Sequence, residues 1–119
     1  VERLRKLVGV ETGIITGEKS GSVVKRAEKL MIEELHLGIK DKINCLKKIL
    51  ARQGLTEEEI AYIGDDVNDL SVIPVVGLSA CPADGMSMVT EVVDYQCKNK
   101  GGHGAFREFA ELIIALKQD

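Results

Sequence analysis

Ile60-Ala61-Tyr62-Ile63-Gly64-Asp65-Asp66-Val67-Asn68-Asp69 is an apolar run that stops at a glycine and gives way to three carboxylates. A short apolar run of this kind reads as a buried strand, with the glycine and the acids as the turn that ends it. A helix is expected from about Val67, terminated near Pro74, because proline cannot continue a helical ladder. Carboxylates this close together repel one another and resist burial unless a cation neutralises them. Hard oxygen ligands suit Mg2+. The alternative for the same residues is a solvated turn in which Asp66 is simply the N-cap of the helix. An apolar strand feeding directly into the acids favours the metal reading.

On the N-terminal side, Leu4, Leu7 and Val8 repeat at helical spacing, with Gly9 able to stop that helix. Val10–Thr16 reads as a strand running into a turn at Gly17, and residues 19 to 31 as a helix with one apolar stripe. Glu34–Leu37 is a short strand, and a helix from about Asp41 to Arg52 carries Ile43, Leu46, Ile49 and Leu50 inward before Gly54. Thr56 and Glu59 have the capping-box spacing. On the C-terminal side come a strand at Gly77–Cys81, a short helix at Gly85–Val89 and a strand at Asp94–Cys97. A loop at Gly101–Gly104 opens a final amphipathic helix over Ala105–Lys117. Strands alternating with helices predict an α/β fold of three layers, Rossmann-like, with a mainly parallel sheet and helices on both faces. The 119 residues suffice for one domain.

Ligands of such sheets sit beyond the carboxyl ends of the strands, so Thr16-Gly17-Glu18 and Asp65-Asp66 are expected to share one cleft. A strand-end hydroxyl at Thr16, followed by free backbone N–H groups, makes a phosphate cradle; an ordinary N-cap explains it equally well. Lys42 stands at a helix start, where a cation opposes the helix dipole. An electrostatic partner for phosphate and carboxylates is the functional reading, and a solvated surface lysine the bland one. Gly101-Gly102-His103-Gly104-Ala105-Phe106-Arg107-Glu108 is a Gly-rich loop opening a helix, with Arg107 placed to clamp an anion or merely to follow a flexible connection. His103 receives no role, His36 reads as structural, and the helix dipole accounts for Glu108 near the N-terminus of its helix.

Composition excludes several classes. Sixteen basic and 19 acidic residues, net −3, leave no electrostatic footprint for nucleic acid. No apolar run approaches the roughly 18 residues of a membrane span. Aromatics are 3% and Trp is absent, so the core must be aliphatic. Three cysteines (Cys45, Cys81 and Cys97) lack metal-type spacing and read as reduced thiols of a cytoplasmic protein. Val1 falls within the first turns of a helix, and a chain of this kind is expected to have been cut from a longer one.

Thr16, then Lys42, then Gly64-Asp65-Asp66-Val67-Asn68-Asp69 resemble, in that order, motifs two, three and four of the haloacid dehalogenase superfamily. The tail Gly101–Glu108 looks like that of its small capless branch. That branch includes the 3-deoxy-manno-octulosonate 8-phosphate phosphatases, the phosphatases of nine-carbon keto acids (2-keto-3-deoxynononate 9-phosphate and sialic acid 9-phosphate), and a C-terminal module of some sialic-acid cytidylyltransferases. The resemblance implies Mg2+-dependent hydrolysis of a keto-sugar acid phosphomonoester through a phosphoaspartate, without a cap domain. It places phosphate against Thr16, the Gly17 N–H and Lys42, and makes Asp65 the direct metal ligand. Asp66 and Asp69 would orient metal-bound water and Lys42. Glu18, Arg26 and Lys29 match residues by which the nine-carbon enzymes recognise the sugar acid. Family members are tetramers, which implies a homotetramer whose tail carries Arg107 to a neighbouring subunit's substrate.

One departure stands out: no Asp-x-Asp occurs in the sequence, although the family's nucleophile and general acid belong to that motif. The family strand that bears it lies centrally, between those ending here at Thr16 and Asp65. A truncated chain, inactive by itself, is therefore expected, with about 35 to 45 further N-terminal residues in the parent. The alternative is a non-catalytic oligomerisation module of a sialic-acid cytidylyltransferase. In such modules the acidic motif is typically degraded, whereas Thr16, Lys42, Asp65, Asp66 and Asp69 are all present here.

Overall fold

The computed structural model of the chain describes residues 4, 5, 7, 9–15, 34–101 and 104–118. They fall into two compact units, one from Val1–Lys40 with Leu112–Asp119 and one from Asp41–Glu111. In the first, a helical turn through Leu4, Arg5 and Leu7 stops at Gly9. Gly9 takes φ 67, a left-handed conformation that glycine adopts without a Cβ clash. Strand β1 (Gly13–Ile15) lies parallel to β2 (Glu34–His36), with Ile14 opposite Leu35. The strand expected over Val10–Thr16 is thus regular for three residues, the length that β2 pairs before Gly38 turns at φ 65. The helix expected over residues 19 to 31 lies outside the described residues.

The second unit begins with helix α1 (Lys42–Gln53). Asp41 caps it by accepting from the Asn44 N–H, and Gly54 closes it in the left-handed region at φ 69. Leu46 and Leu50 are its buried face. Thr56 and Glu59 form the capping box their spacing predicts, around a single 3-10 turn at Glu57–Glu59. Three parallel strands follow, β3 (Ala61–Ile63), β4 (Leu78–Cys81) and β5 (Tyr95–Gln96), in the order β3-β4-β5. Tyr62 lies opposite Ser79 and Ala80 opposite Tyr95. A short helix α2 (Ser87–Thr90) joins β4 to β5, and α3 (Ala105–Gln118) ends the chain. Ile73, Cys81 and Val89 are buried together, with Tyr62, Leu70 and Val93 packed on them. Gly77 precedes β4 where a Cβ would lie 2.0 Å from the Glu58 carbonyl oxygen, so no side chain fits there.

Every strand pairing among the described residues is parallel, as the alternation of elements predicts. Two local expectations need correction. The segment from Val67 towards Pro74 is not an α-helix: it makes a 3-10 turn at Val67–Asp69 and then i→i−3 turns, such as Val72 N–H to Asp69 O and Val75 N–H to Val72 O. The Asp69 side chain turns back on the preceding strand end and tightens the first turn, and Pro74 removes a donor from the last. Nor is β3 fully buried: Ala61 is exposed, while Tyr62 and Ile63 are half-buried. Among the described residues only one side of β3 is paired, to β4.

Candidate functional site

Because the three strands of the larger unit are parallel, their carboxyl ends share one edge of the sheet, and Asp65 follows directly from β3 at that edge. The centre of the turn is Asp69, a carboxylate only 1% exposed. One of its oxygens, Oδ1, accepts from the Lys42 ammonium at 2.9 Å and from the Tyr62 hydroxyl. The other, Oδ2, accepts from the Asp65 N–H at 3.0 Å and the Asp66 N–H at 3.1 Å. An ionised carboxylate offers about four lone-pair directions, so Asp69 is saturated. Burial by itself would raise its pKa; the hydrogen bonds from Tyr62, Lys42 and the Asp66 N–H outweigh burial and hold it below the usual carboxylate range. Burial, then the hydrogen bond to Asp69 and its charge, push the Tyr62 phenol far up, so it stays protonated. Gly64 is required by the same packing: a Cβ there would lie 2.5 Å from Asp69 Cγ.

The structure therefore brings together Lys42, Asp65, Asp66 and Asp69. Asp66 accepts from the Val67 N–H at 2.6 Å and caps the 3-10 turn, so the N-cap reading of this residue holds whatever else it does. Asp65 is exposed, and among the described residues its carboxylate has no side-chain hydrogen-bond donor, only its own backbone N–H. Its pKa is raised by desolvation and then by the charges of Asp69 and Asp66, with Lys42 opposing. A cation beside Asp65 would relieve that excess of negative charge. A second unspent oxygen in the same turn is Asn68 Oδ1, buried with no hydrogen-bond partner. Among the described residues no three acidic, His or Cys side chains form a metal cage. One carboxylate fits Mg2+ nonetheless, since this ion keeps several waters and is commonly held by one or two carboxylates with substrate phosphate.

A separate polar network fixes the chain after β5. The Glu108 carboxylate accepts from the Tyr95 hydroxyl at 2.6 Å, from the Lys98 and Asn99 N–H groups at 2.8 and 2.9 Å, and from Asn99 Nδ2. These bonds draw its pKa down to about 2. The helix dipole is thus a lesser part of what Glu108 does, and it ties the Lys98–Asn99 segment to α3. Gly101 N–H donates to Asp84 Oδ1 at 2.9 Å and anchors the next step of the loop. Arg107 is exposed on α3. Thr16, Gly17, Glu18, Arg26, Lys29 and His103 lie outside the described residues, as does any cleft joining Thr16 to Asp65. Sequence reasoning missed Tyr62; an aromatic hydroxyl three residues before the first acid of the turn was the available signal.

Residues 14–109 match a family model described as haloacid dehalogenase-like hydrolase. The 3-deoxy-D-manno-octulosonate 8-phosphate phosphatase KdsC of Yersinia pestis is 38% identical over 110 residues, 92% of this chain and 58% of the relative. N-acylneuraminate cytidylyltransferase A of Danio rerio is 36% identical over 95 residues, 80% of this chain and 22% of the relative. The crystal structure of the 3-deoxy-D-manno-octulosonate 8-phosphate phosphatase from Moraxella catarrhalis, in complex with magnesium, phosphate and KDO, superposes with a TM-score of 0.90 at 34% identity. That superposition covers 95% of this chain and 65% of the other. The chain thus spans between half and two thirds of these two phosphatases.

Proposed function

This chain belongs to the haloacid dehalogenase-like hydrolases, and from that premise we propose that it serves the hydrolysis of a phosphomonoester of a keto-sugar acid. The observation that carries the proposal is the Lys42–Asp69 pair, 2.9 Å apart and 11% and 2% exposed at its side chains, set beside an exposed Asp65 carboxylate that no other side chain donates to among the described residues. A buried cation held by a saturated carboxylate has its other N–H donors left for an anion, and a neighbouring unpaired carboxylate suits a hard metal. In this reading Asp65 holds Mg2+, whose chemistry is to neutralise charge on the transferring phosphoryl group. Lys42 contacts the phosphoryl oxygens, and Asp69 fixes Lys42. Asp66 sets the turn. Thr16 and Gly17 complete the phosphate cradle. Glu18, Arg26 and Lys29 recognise the sugar acid, with Arg107 contributing from a neighbouring subunit of a homotetramer. The attacking carboxylate of a phosphoaspartate route is not in an Asp-x-Asp of these 119 residues, for they contain none. The nine-carbon and eight-carbon keto acids remain rival substrates, with Glu18 as the residue that discriminates between them.

The test is phosphate release by the full-length protein from a panel of keto-sugar acid phosphates with Mg2+. Asp65→Asn is expected to lower kcat at least 100-fold, and turnover near that of the wild type would remove Asp65 from the site. Glu18→Ala should change the ratio of kcat/KM between nine- and eight-carbon substrates.

The match to a cytidylyltransferase favours one second reading, a module attached to a nucleotidyltransferase. Release of phosphate lost in Asp65→Asn supports the hydrolase; no release from any sugar phosphate by a folded, Mg2+-loaded protein supports the module.

A further inference from the structure

Tyr62 is left over once the acidic turn is assigned. It sits in the middle of β3, half-buried against the Ile73, Cys81 and Val89 cluster, and its hydroxyl donates to Asp69 Oδ1, the same atom that Lys42 Nζ reaches at 2.9 Å. Counting donors and acceptors gives this contact a purpose. Oδ2 is spent on the Asp65 and Asp66 N–H groups. Oδ1 has about two lone-pair directions, and the phenol fills one of them. The ammonium is thereby confined to the other. Lysine carries three N–H donors, and among the described residues Asp69 is the one hydrogen-bond acceptor of Lys42. Without the phenol, the ammonium can pivot between both lone pairs and point a second N–H at the carboxylate.

We propose that Tyr62 is a positioning residue: its hydroxyl holds the Asp69 carboxylate so that Lys42 is kept in one direction with its remaining donors free for a phosphate group. The inference rests on Lys42 being the group that meets phosphate. Tyr62 touches neither substrate nor metal in this role, and it acts through Asp69 alone.

The experiment is calorimetric titration of inorganic phosphate into the full-length protein with Mg2+, beside thermal melting. It compares the wild type with Tyr62→Phe, Val89→Ala and Lys42→Met. Tyr62→Phe keeps the ring in its packing and deletes only the hydroxyl; phosphate affinity is expected to fall about tenfold. Val89→Ala loosens the same apolar cluster, and should lower the melting temperature while leaving phosphate affinity unchanged. Lys42→Met should lose phosphate binding. If Tyr62→Phe binds phosphate within twofold of the wild type while Lys42→Met does not bind it, Tyr62 is only a packing residue and the phosphatase reading survives. If Val89→Ala loses affinity as Tyr62→Phe does, the effect is one of general loosening and the positioning role is overturned. Wild-type affinity in Lys42→Met brings down the phosphatase reading and this inference together. A second measurement needs no change at position 62, should Tyr62→Phe not fold. The hydroxyl proton of Tyr62, followed by NMR at low field, should shift on adding phosphate to the wild type. A resonance that does not move contradicts the coupling.

Discussion

Asp69 is where the sequence's charge and the structure's burial meet most directly. Its replacement by Ala would strand the Lys42 ammonium, the Tyr62 hydroxyl and two backbone N–H groups in a space where Asp69 itself is 1% exposed. Removing one partner of such a buried pair costs about 3–5 kcal/mol; urea denaturation of Asp69→Ala should read a loss of that size, with Asp69→Asn losing less because the amide oxygen still accepts. Glu108 gives a pH signature instead. Its carboxyl is held at about 2 against an ordinary 4.5, so its contribution to stability is complete above the ordinary value and is lost as pH falls towards the folded one. Urea midpoints measured between pH 6 and pH 2 should therefore decline across that window in the wild type. In Glu108→Gln the decline should be shallower, starting from a lower midpoint at neutral pH. Tyr62 and Glu108 were hard to value from sequence because their roles depend on partners seven or more positions away. By contrast Asp65, Asp66 and Asp69 were legible as one acidic turn, since carboxylates crowded after an apolar run have few stable arrangements, whereas Lys42 was joined to them only through the resemblance.

Turns and caps are the elements that sequence reported best. Helix α1 starts just after Asp41 and stops at Gly54 as expected, and the capping box forms at Thr56 and Glu59. The glycines separate two physical causes. Gly54 has φ 69 and open space around its missing Cβ, so Gly54→Ala should cost only the left-handed backbone penalty, about 1 kcal/mol. Gly77 has an unexceptional φ but would place a Cβ 2.0 Å from the Glu58 carbonyl oxygen. Gly77→Ala must push backbone aside, and a larger loss of about 1–3 kcal/mol is expected. Comparing the two urea midpoints checks the order. The helix expected at Val67–Pro74 does not form because the apolar residues there, half-buried Leu70 and buried Val72 and Ile73, are brought inward by consecutive tight turns. A side chain folding back to cap a strand end leaves no trace in a hydrophobic pattern.

At the scale of the whole molecule, alternation of strand and helix was enough for the α/β class, since only parallel pairing accommodates it. Substrate contacts at Glu18, Arg26 and Lys29 rest on the resemblance, because a charged helix face looks alike in water and in a binding site. The proposed metal belongs to this scale too. A single carboxylate is a poor structural anchor, so chelation of divalent ions should abolish phosphate release while shifting melting by no more than the ligand-linkage term, about 1 kcal/mol for an ion at several times its Kd. Circular dichroism beside an activity assay measures both. Gly64 finally constrains anyone who would redesign this turn. The carboxylate of Asp69 fills the volume into which any residue at 64 would have to grow. The two positions act as a single genetic unit: a library that randomises residue 64 and keeps the acid at 69 samples, in effect, one viable amino acid.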